Sequence, residues 1–144
     1  MSLANVFEIS AMGMSAQAIR LNTTASNMAN ANTSASSEAE AYRAKKPVFQ
    51  AVQTAPFDQL SSNSKIGSKF GVMIEKIVDS QAPINKVYAP NDPQANAEGY
   101  VFHSNVNTVE EMADMISASR AFQMNAEVMN TTKSMMQRLL TLGK

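Results

Sequence analysis

VEEMADMISASRAFQMNAEVMNTTKSMMQRLLTL, residues 109–142, places its apolar side chains three and four apart along its whole length. Met112, Met115, Ser119, Phe122, Ala126, Met129, Lys133, Met136 and Leu140 fall in one row on an α-helix, because 3.6 residues make a turn. Only Ser119 and Lys133 interrupt that row. A second row, Val128, Thr132, Met135, Leu139 and Leu142, widens the apolar face beyond what a two-helix seam needs. Such a helix requires several neighbours.

Its ends carry helix signals. Thr108 followed by Glu111 predicts a capping box, in which the glutamate reaches back to the threonine. Glu110, Glu111 and Asp114 crowd the start, and Lys133, Arg138 and Lys144 lie late, which complements the helix dipole. Gly143 supplies a stop. Continuous helix from 109 to 142 would be about 51 Å long, too long for the core of a small globule.

The rest of the chain divides around this element. All five prolines lie between Pro47 and Pro93 and seven of nine aromatics between Tyr42 and Phe102, while ten of eleven methionines lie outside that span. Arm, middle and arm follow in order, with the arms suited to helix and the middle not. The N-terminal arm opens with Asn5 and Glu8 at predicted cap and N3 positions. Phe7, Ala11, Met14, Ala18, Leu21, Ala25 and Met28 then keep a four-three spacing, and Ile9, Met12, Ala16 and Ile19 form a neighbouring row. Gly13 weakens this helix by about 1 kcal/mol relative to alanine, and the small residues around it would admit a second backbone closely. From Asn22 to Ser37 no side chain is charged and few are large. Either this is a disordered linker, or the helix runs on to about Asn30 and presents Asn22, Asn27 and Asn30 as amide contacts to neighbouring chains.

In the middle, Tyr42 to Gln53 mixes strand formers with Pro47, which belongs on an edge or at a strand end. Residues 56–68 read as a polar loop. The clearest strand alternates Phe70, Val72, Ile74, Lys76 and Val78 with Gly71, Met73, Glu75 and Ile77. Pro83 and Tyr88-Ala89-Pro90-Asn91-Asp92-Pro93 mark turns, and Tyr100-Val101-Phe102 is a last short strand. The expected fold is α+β: long N- and C-terminal helices forming a coiled-coil-like pair, with a small β-rich insert between them. Its parts are an N-terminal helical arm and polar linker over 1–37, the insert over 38–104, and a C-terminal helical arm over 105–144. The two arms together form one helical domain.

Composition excludes several functions. Twelve basic and twelve acidic side chains give a formal net charge of zero, which argues against a nucleic-acid or anionic-membrane binder. No run is long and apolar enough to span a membrane, and no basic start with an apolar core marks a cleaved signal, so export, if any, takes another route. Cysteine is absent, which removes disulfides and thiolate metal sites. His103 is the only histidine and reads as a strand-end residue. No glycine-rich phosphate loop or nucleophile elbow appears, and capping accounts for Glu110 and Glu111 without acid–base chemistry. Lys45-Lys46 beside Tyr42 and Arg43 reads as a charged edge strand rather than a nucleic-acid site. The chain is therefore expected to be no enzyme, with no cofactor and no small-molecule substrate.

Apolar rows on both arms cannot all be covered inside one chain, even when the arms pair. Exposure on that scale predicts self-association, and a head-to-tail contact that does not close yields a filament. The alternative is a monomeric helical hairpin whose insert docks one partner.

Particular residues carry a resemblance. Met14-Ser15-Ala16-Gln17, Arg20-Leu21-Asn22 and Ala25-Ser26-Asn27-Met28-Ala29-Asn30-Ala31-Asn32-Thr33 resemble the N-terminal signature of bacterial flagellar rod, hook and related axial proteins. Val109-Glu110-Glu111-Met112, Ala118-Ser119-Arg120-Ala121-Phe122-Gln123 and Asn130-Thr131-Thr132-Lys133 resemble the partner signature at the C-terminus. Tyr42 to Phe49, Val87-Tyr88 with Pro90 and Pro93, and Gly99-Tyr100-Val101 before Asn105-Val106-Asn107 are similar to the short proximal-rod members of that family. Ser104 departs from the proline that often stands there, and Asn91-Asp92 from a Gly-His type of turn. The resemblance implies a structural subunit of the flagellar basal-body rod, exported by the flagellar type III apparatus without a cleaved signal. Such a subunit polymerises in the periplasm with its own copies and other rod proteins, its terminal helices lining a hollow helical tube. The assembly interface expected on that basis comprises Met12, Met14, Ile19, Leu21, Asn27 and Met28 on the first arm. On the second it comprises Met112, Ile116, Ser119, Arg120, Phe122, Met129, Lys133, Met136 and Leu140, with Ser119, Arg120 and Lys133 setting register.

Overall fold

The computed structural model describes residues 3–54 and 69–142. The loop expected over 56–68 and the stop at Gly143 lie outside the described residues. Helix α1 spans Leu3–Ala29 and helix α2 spans Thr108–Leu142, 27 and 35 residues. Between them run β1 (Ser34–Ala35), β2 (Lys45–Thr54), β3 (Lys69–Asp79), β4 (Asn85–Tyr88) and β5 (Tyr100–His103). Two long helices with a small β region between them make the fold α+β, as the sequence predicts.

Helix α1 begins before Asn5, so Asn5 and Glu8 sit inside it rather than at its cap. It continues through the uncharged Asn/Ser/Thr segment to Ala29, which settles the choice left open there in favour of helix. At the other arm, Asn107 rather than Thr108 is the N-cap. Its carbonyl accepts the first helical bond, from Glu111 N–H at 3.0 Å, and its Oδ1 accepts the Val109 N–H at 3.1 Å. Asparagine outcompetes threonine here because its carbonyl oxygen reaches the free amides from one residue earlier.

The insert holds two separate sheets. β2 and β3 form an antiparallel ribbon from Lys45↔Asp79 to Thr54↔Lys69, with a bulge between Val48 and Phe49. Pro47 lies opposite Ile77, and in a two-stranded ribbon every strand is an edge, which admits a proline. The second sheet has the order β1-β5-β4, all antiparallel. Strand β4 has no sequence signal over Asn85–Val87, and at Tyr88 it is a correction: the turn expected from Tyr88 to Pro93 starts later, because Tyr88 pairs with Tyr100. Lys86 Nζ sits 3.8 Å from the Tyr100 ring centroid and the two tyrosine rings meet edge to face, so side-chain contacts hold this short strand. Strand β1 falls in the polar segment and was also unsignalled.

The ribbon lies along α1. A Cβ placed on Gly71 would collide with Met12 Sδ, so the bare backbone of β3 is what lets the thioether lie against it. Fully enclosed apolar residues are few among those described: Ala16, Ala41, Ala44, Val101 and Ala118. Full burial of a valine contributes about 1.5–3 kcal/mol and of an alanine less, so this core is small for a chain of 144 residues. Large apolar side chains lie mostly elsewhere.

Candidate assembly interface

The helices pair antiparallel. Arg20 Nη2 meets Asp114 Oδ1 at 2.5 Å, and seven residues earlier in α1, Gly13 faces Asn125, eleven residues later in α2. A Cβ on Gly13 would stand 2.9 Å from Asn125 Nδ2, so the bare glycine backbone is what gives the Asn125 amide its place between the helices. Carried along both helices, this register leaves the end of α2 beyond about residue 135 extending past Leu3.

The fully buried positions of both helices are small or polar. On α1 they are Ser10, Gly13, Ala16, Thr23, Thr24 and Asn27, with Arg20 half-buried, and on α2 Glu111, Ala118 and Thr132, with Asn125 half-buried, at intervals of seven. Gly13 with Asn125 and Arg20 with Asp114 meet across the pair, whereas Asn27 and Glu111 face the root of β2. Thr132 Oγ1 donates to the Val128 carbonyl and Thr23 Oγ1 to the Ile19 carbonyl, so both hydroxyls are satisfied within their own helices. The apolar row of each helix begins one residue later: Met14, Leu21 and Met28 follow Gly13, Arg20 and Asn27, while Met112, Ser119, Ala126 and Lys133 follow Glu111, Ala118, Asn125 and Thr132. One residue is a turn of about 100°, which carries Met112, Ser119, Ala126 and Lys133 to the side of the buried line. Met115, Phe122, Met129 and Met136 of the same row stand four residues after the buried positions, on the same face, and Met115, Met129 and Met136 are half-buried there. The spacing of the rows is right, and the face that pairs within the chain overlaps one edge of the apolar row.

Exposure follows. Leu140 is 75% exposed, Leu139 59% and Ile116 54%, with Val109, Met112, Met124, Val128 and Met135 also exposed. Of the interface residues expected from sequence, Met12, Met14, Ile19, Leu21 and Met28 are half-buried, as are Ser119, Met129 and Met136. Met112, Ile116, Arg120, Phe122, Lys133 and Leu140 are exposed. Ala113, Ile116, Ser117, Arg120, Ala121 and Met124 line an open groove along the outside of α2. Val109, Met124, Val128, Met135 and Leu139 belong to this outer apolar surface although the expected set omits them. Val128, Met135 and Leu139 stood in the second helical row, the signal that finds them.

Asn27 is different. It is 1% exposed, and its amide is engaged within the chain by the backbone of Lys45 and by Tyr42 Oη. Asn30 Nδ2 likewise donates to the Ser26 carbonyl of its own helix. Neither offers its amide outward.

A charged network ties the insert to the seam. Lys46 Nζ lies 3.0 Å from Glu110, 3.5 Å from Glu111 and 4.0 Å from Asp114, and Asp114 also holds Arg20. Glu111, expected to reach back to Thr108 in a capping box, is 2% exposed and is a buried carboxylate facing Lys46. Burial opposes the lysine charge, but the hydrogen bond to Glu110 and the charges of Glu111, Glu110 and Asp114 outweigh it and raise the Lys46 pKa above 10.5.

Two long antiparallel helices whose fully buried positions are small or polar, with large apolar side chains exposed along α2, make up the build of an axial structural subunit. Comparison with known proteins specifies which. The family described as flagella basal body rod protein matches residues 7–34, and that described as flagellar basal body rod FlgEFG protein C-terminal matches residues 97–142. Over the full length of both chains, the sequence is 45% identical to the flagellar basal-body rod protein FlgC of Yersinia enterocolitica. It is 44% identical to that of Salmonella typhimurium and 34% to that of Bacillus subtilis, again end to end. The chain belongs to the FlgC family of flagellar basal-body rod proteins. It is a structural component of the flagellar basal body and not an enzyme. Among the described residues no helix is long and apolar enough to cross a membrane.

Proposed function

We propose that the chain polymerises through its terminal helices into a hollow helical shaft, the periplasmic rod, beside copies of itself and other rod proteins. Residues 1–37 and 105–144 act as one helical domain at the inner layer, and 38–104 form an outer insert. The observation that carries this reading is the exposure of large apolar side chains along α2. Small and polar groups fill the fully buried positions of the two helices, which leaves Met112, Ile116, Met124, Leu139 and Leu140 for neighbours. On α2 the exposed apolar residues occupy two flanks, Met112 with Phe122 and Leu140 on one side and Met124, Val128 and Met135 on the other, while Leu139, seven residues after Thr132, continues the seam line past the end of α1. Two different flanks require two different neighbours, and heterologous contacts of that kind build helices rather than closed dimers. Met12, Met14, Ile19, Leu21, Met28, Met112, Ile116, Ser119, Arg120, Phe122, Met129, Lys133, Met136 and Leu140 belong to the contact surface on this reading. Export runs through the flagellar type III apparatus without a cleaved signal, and folding follows it.

Ile116→Glu and Leu139→Glu test the reading. Both side chains already face solvent in the free chain, so each variant keeps the circular dichroism of the parent. In the cell each abolishes swimming and leaves basal bodies without a completed rod, because a carboxylate buried at a contact goes unpaired. Normal motility in both variants would refute burial of these side chains.

A further inference from the structure

Every passage of the chain between the helical pair and the insert converges on one short backbone segment, Ala44 to Lys45, held from two sides by asparagine side chains. Asn27, near the end of α1, donates from Nδ2 to the Lys45 carbonyl at 2.8 Å, and its Oδ1 accepts the Lys45 N–H at 2.8 Å. That is the pair of bonds a neighbouring antiparallel strand exchanges with a residue opposite it. Asn105, just before α2, accepts the Ala44 N–H at 2.7 Å and donates to the Ala82 carbonyl at 2.9 Å. Ser104 completes the knot, its hydroxyl donating to the Ala31 carbonyl at 2.6 Å and its N–H to the Thr33 carbonyl at 3.3 Å. The exit from α1, the root of β2, the exit from β3 and the approach to α2 are thereby fastened together.

We propose that Asn27 and Asn105 are positioning residues that fix the angle at which the β2–β3 ribbon leaves the helical pair. The ribbon's ten paired residues reach roughly 30 Å at about 3.3 Å each, so a swing of about 10° at the root moves its far end by roughly 5 Å. Farther along the ribbon, Met12 against Gly71 is a flexible thioether that adapts to more than one position. Lys46 adds ion pairs to α2 beside the root, but through a long, adaptable side chain, so the rigid holds on orientation are the asparagine amides. A primary amide suits the task because one rigid group offers a donor and an acceptor side by side, at the spacing of a peptide. Since both bonds lie within the chain, the clamp acts before and independently of any assembly.

The chain has no cysteine, so spin labels can be placed at will. Labels on Gln53→Cys, exposed at the far end of β2, and Gln123→Cys, exposed on α2, report the angle as a distance distribution in the full-length chain. The parent gives one narrow peak. Asn27→Ala and Asn105→Ala each lose the narrow peak while far-UV circular dichroism keeps the helical signal, and Ser26→Ala, whose hydroxyl only approaches Tyr42 Oη at 3.4 Å, keeps both. A narrow peak that survives in both asparagine variants overturns the proposal. So does a broad parent distribution, or a peak lost only in proportion to helix. Each of these outcomes leaves the rod reading untouched, since that stands on the exposed flanks.

Discussion

Lys46 shows how one side chain joins the parts of this subunit. It extends from the root of β2 to three carboxylates of α2, one of them buried. Lys46 itself is 39% exposed, so solvent screening limits the ion-pair contribution to about 1 kcal/mol or less. Removing it does more, because Glu111 is left enclosed without its partner: Lys46→Met is expected to cost about 1–3 kcal/mol in a denaturant titration. The sign of the pH effect follows from the raised pKa. The charged lysine contributes fully below its unfolded value of 10.5, and that contribution is lost as pH rises through the higher folded value. Parent stability should therefore fall above pH 10.5 by an increment that Lys46→Met lacks. An identical alkaline slope in both would show that the network is not coupled to folding. Lys45, exposed beside it, is held through its backbone, and Lys45→Ala should leave stability unchanged.

At the scale of elements, the helices were legible because periodicity sustained over many turns, in elements of 27 and 35 residues, outweighs local propensity. The α1 extension through Asn22 to Ala29 was legible only as one of two options, since residues poor at forming helix are kept there by contacts made elsewhere, Thr24 and Asn27 being buried. Which face of each helix pairs was not legible. Hydrophobicity marks the face that must eventually be covered, whereas close approach within the chain is set by Gly13, Ala16 and Ala118, small residues that carry little signal. Strands β1 and β4 were missed because two and four residues hold no period to read, and β5 supplies their partners from far along the chain. The asparagine clamp could not be read either: the backbone groups that the two amides engage lie 18 and 61 residues away. Gly13 gives the sharpest test of the seam. Gly13→Leu gains helix propensity in α1 yet forces the backbones apart at Asn125, so thermal unfolding should shift downward by the equivalent of about 1–3 kcal/mol. A rise in midpoint would mean that the helices do not meet closely there.

For the whole molecule, the two kinds of helix face divide the tasks of folding and assembly. A polar, close-packed seam and a knotted root give one chain its shape with few enclosed apolar residues, and the flanks that remain are large enough to require neighbours on both sides. The claim is tested most directly by accessibility in two states. Ile116→Cys, Val128→Cys and Leu139→Cys, each in the otherwise cysteine-free chain, are to be reacted with a maleimide as free protein and within isolated basal bodies. All three should label rapidly in the free chain and resist labelling in the basal body, while Gln53→Cys on the insert shows no such strong protection. Equal labelling of the three helix positions in both states would contradict the account.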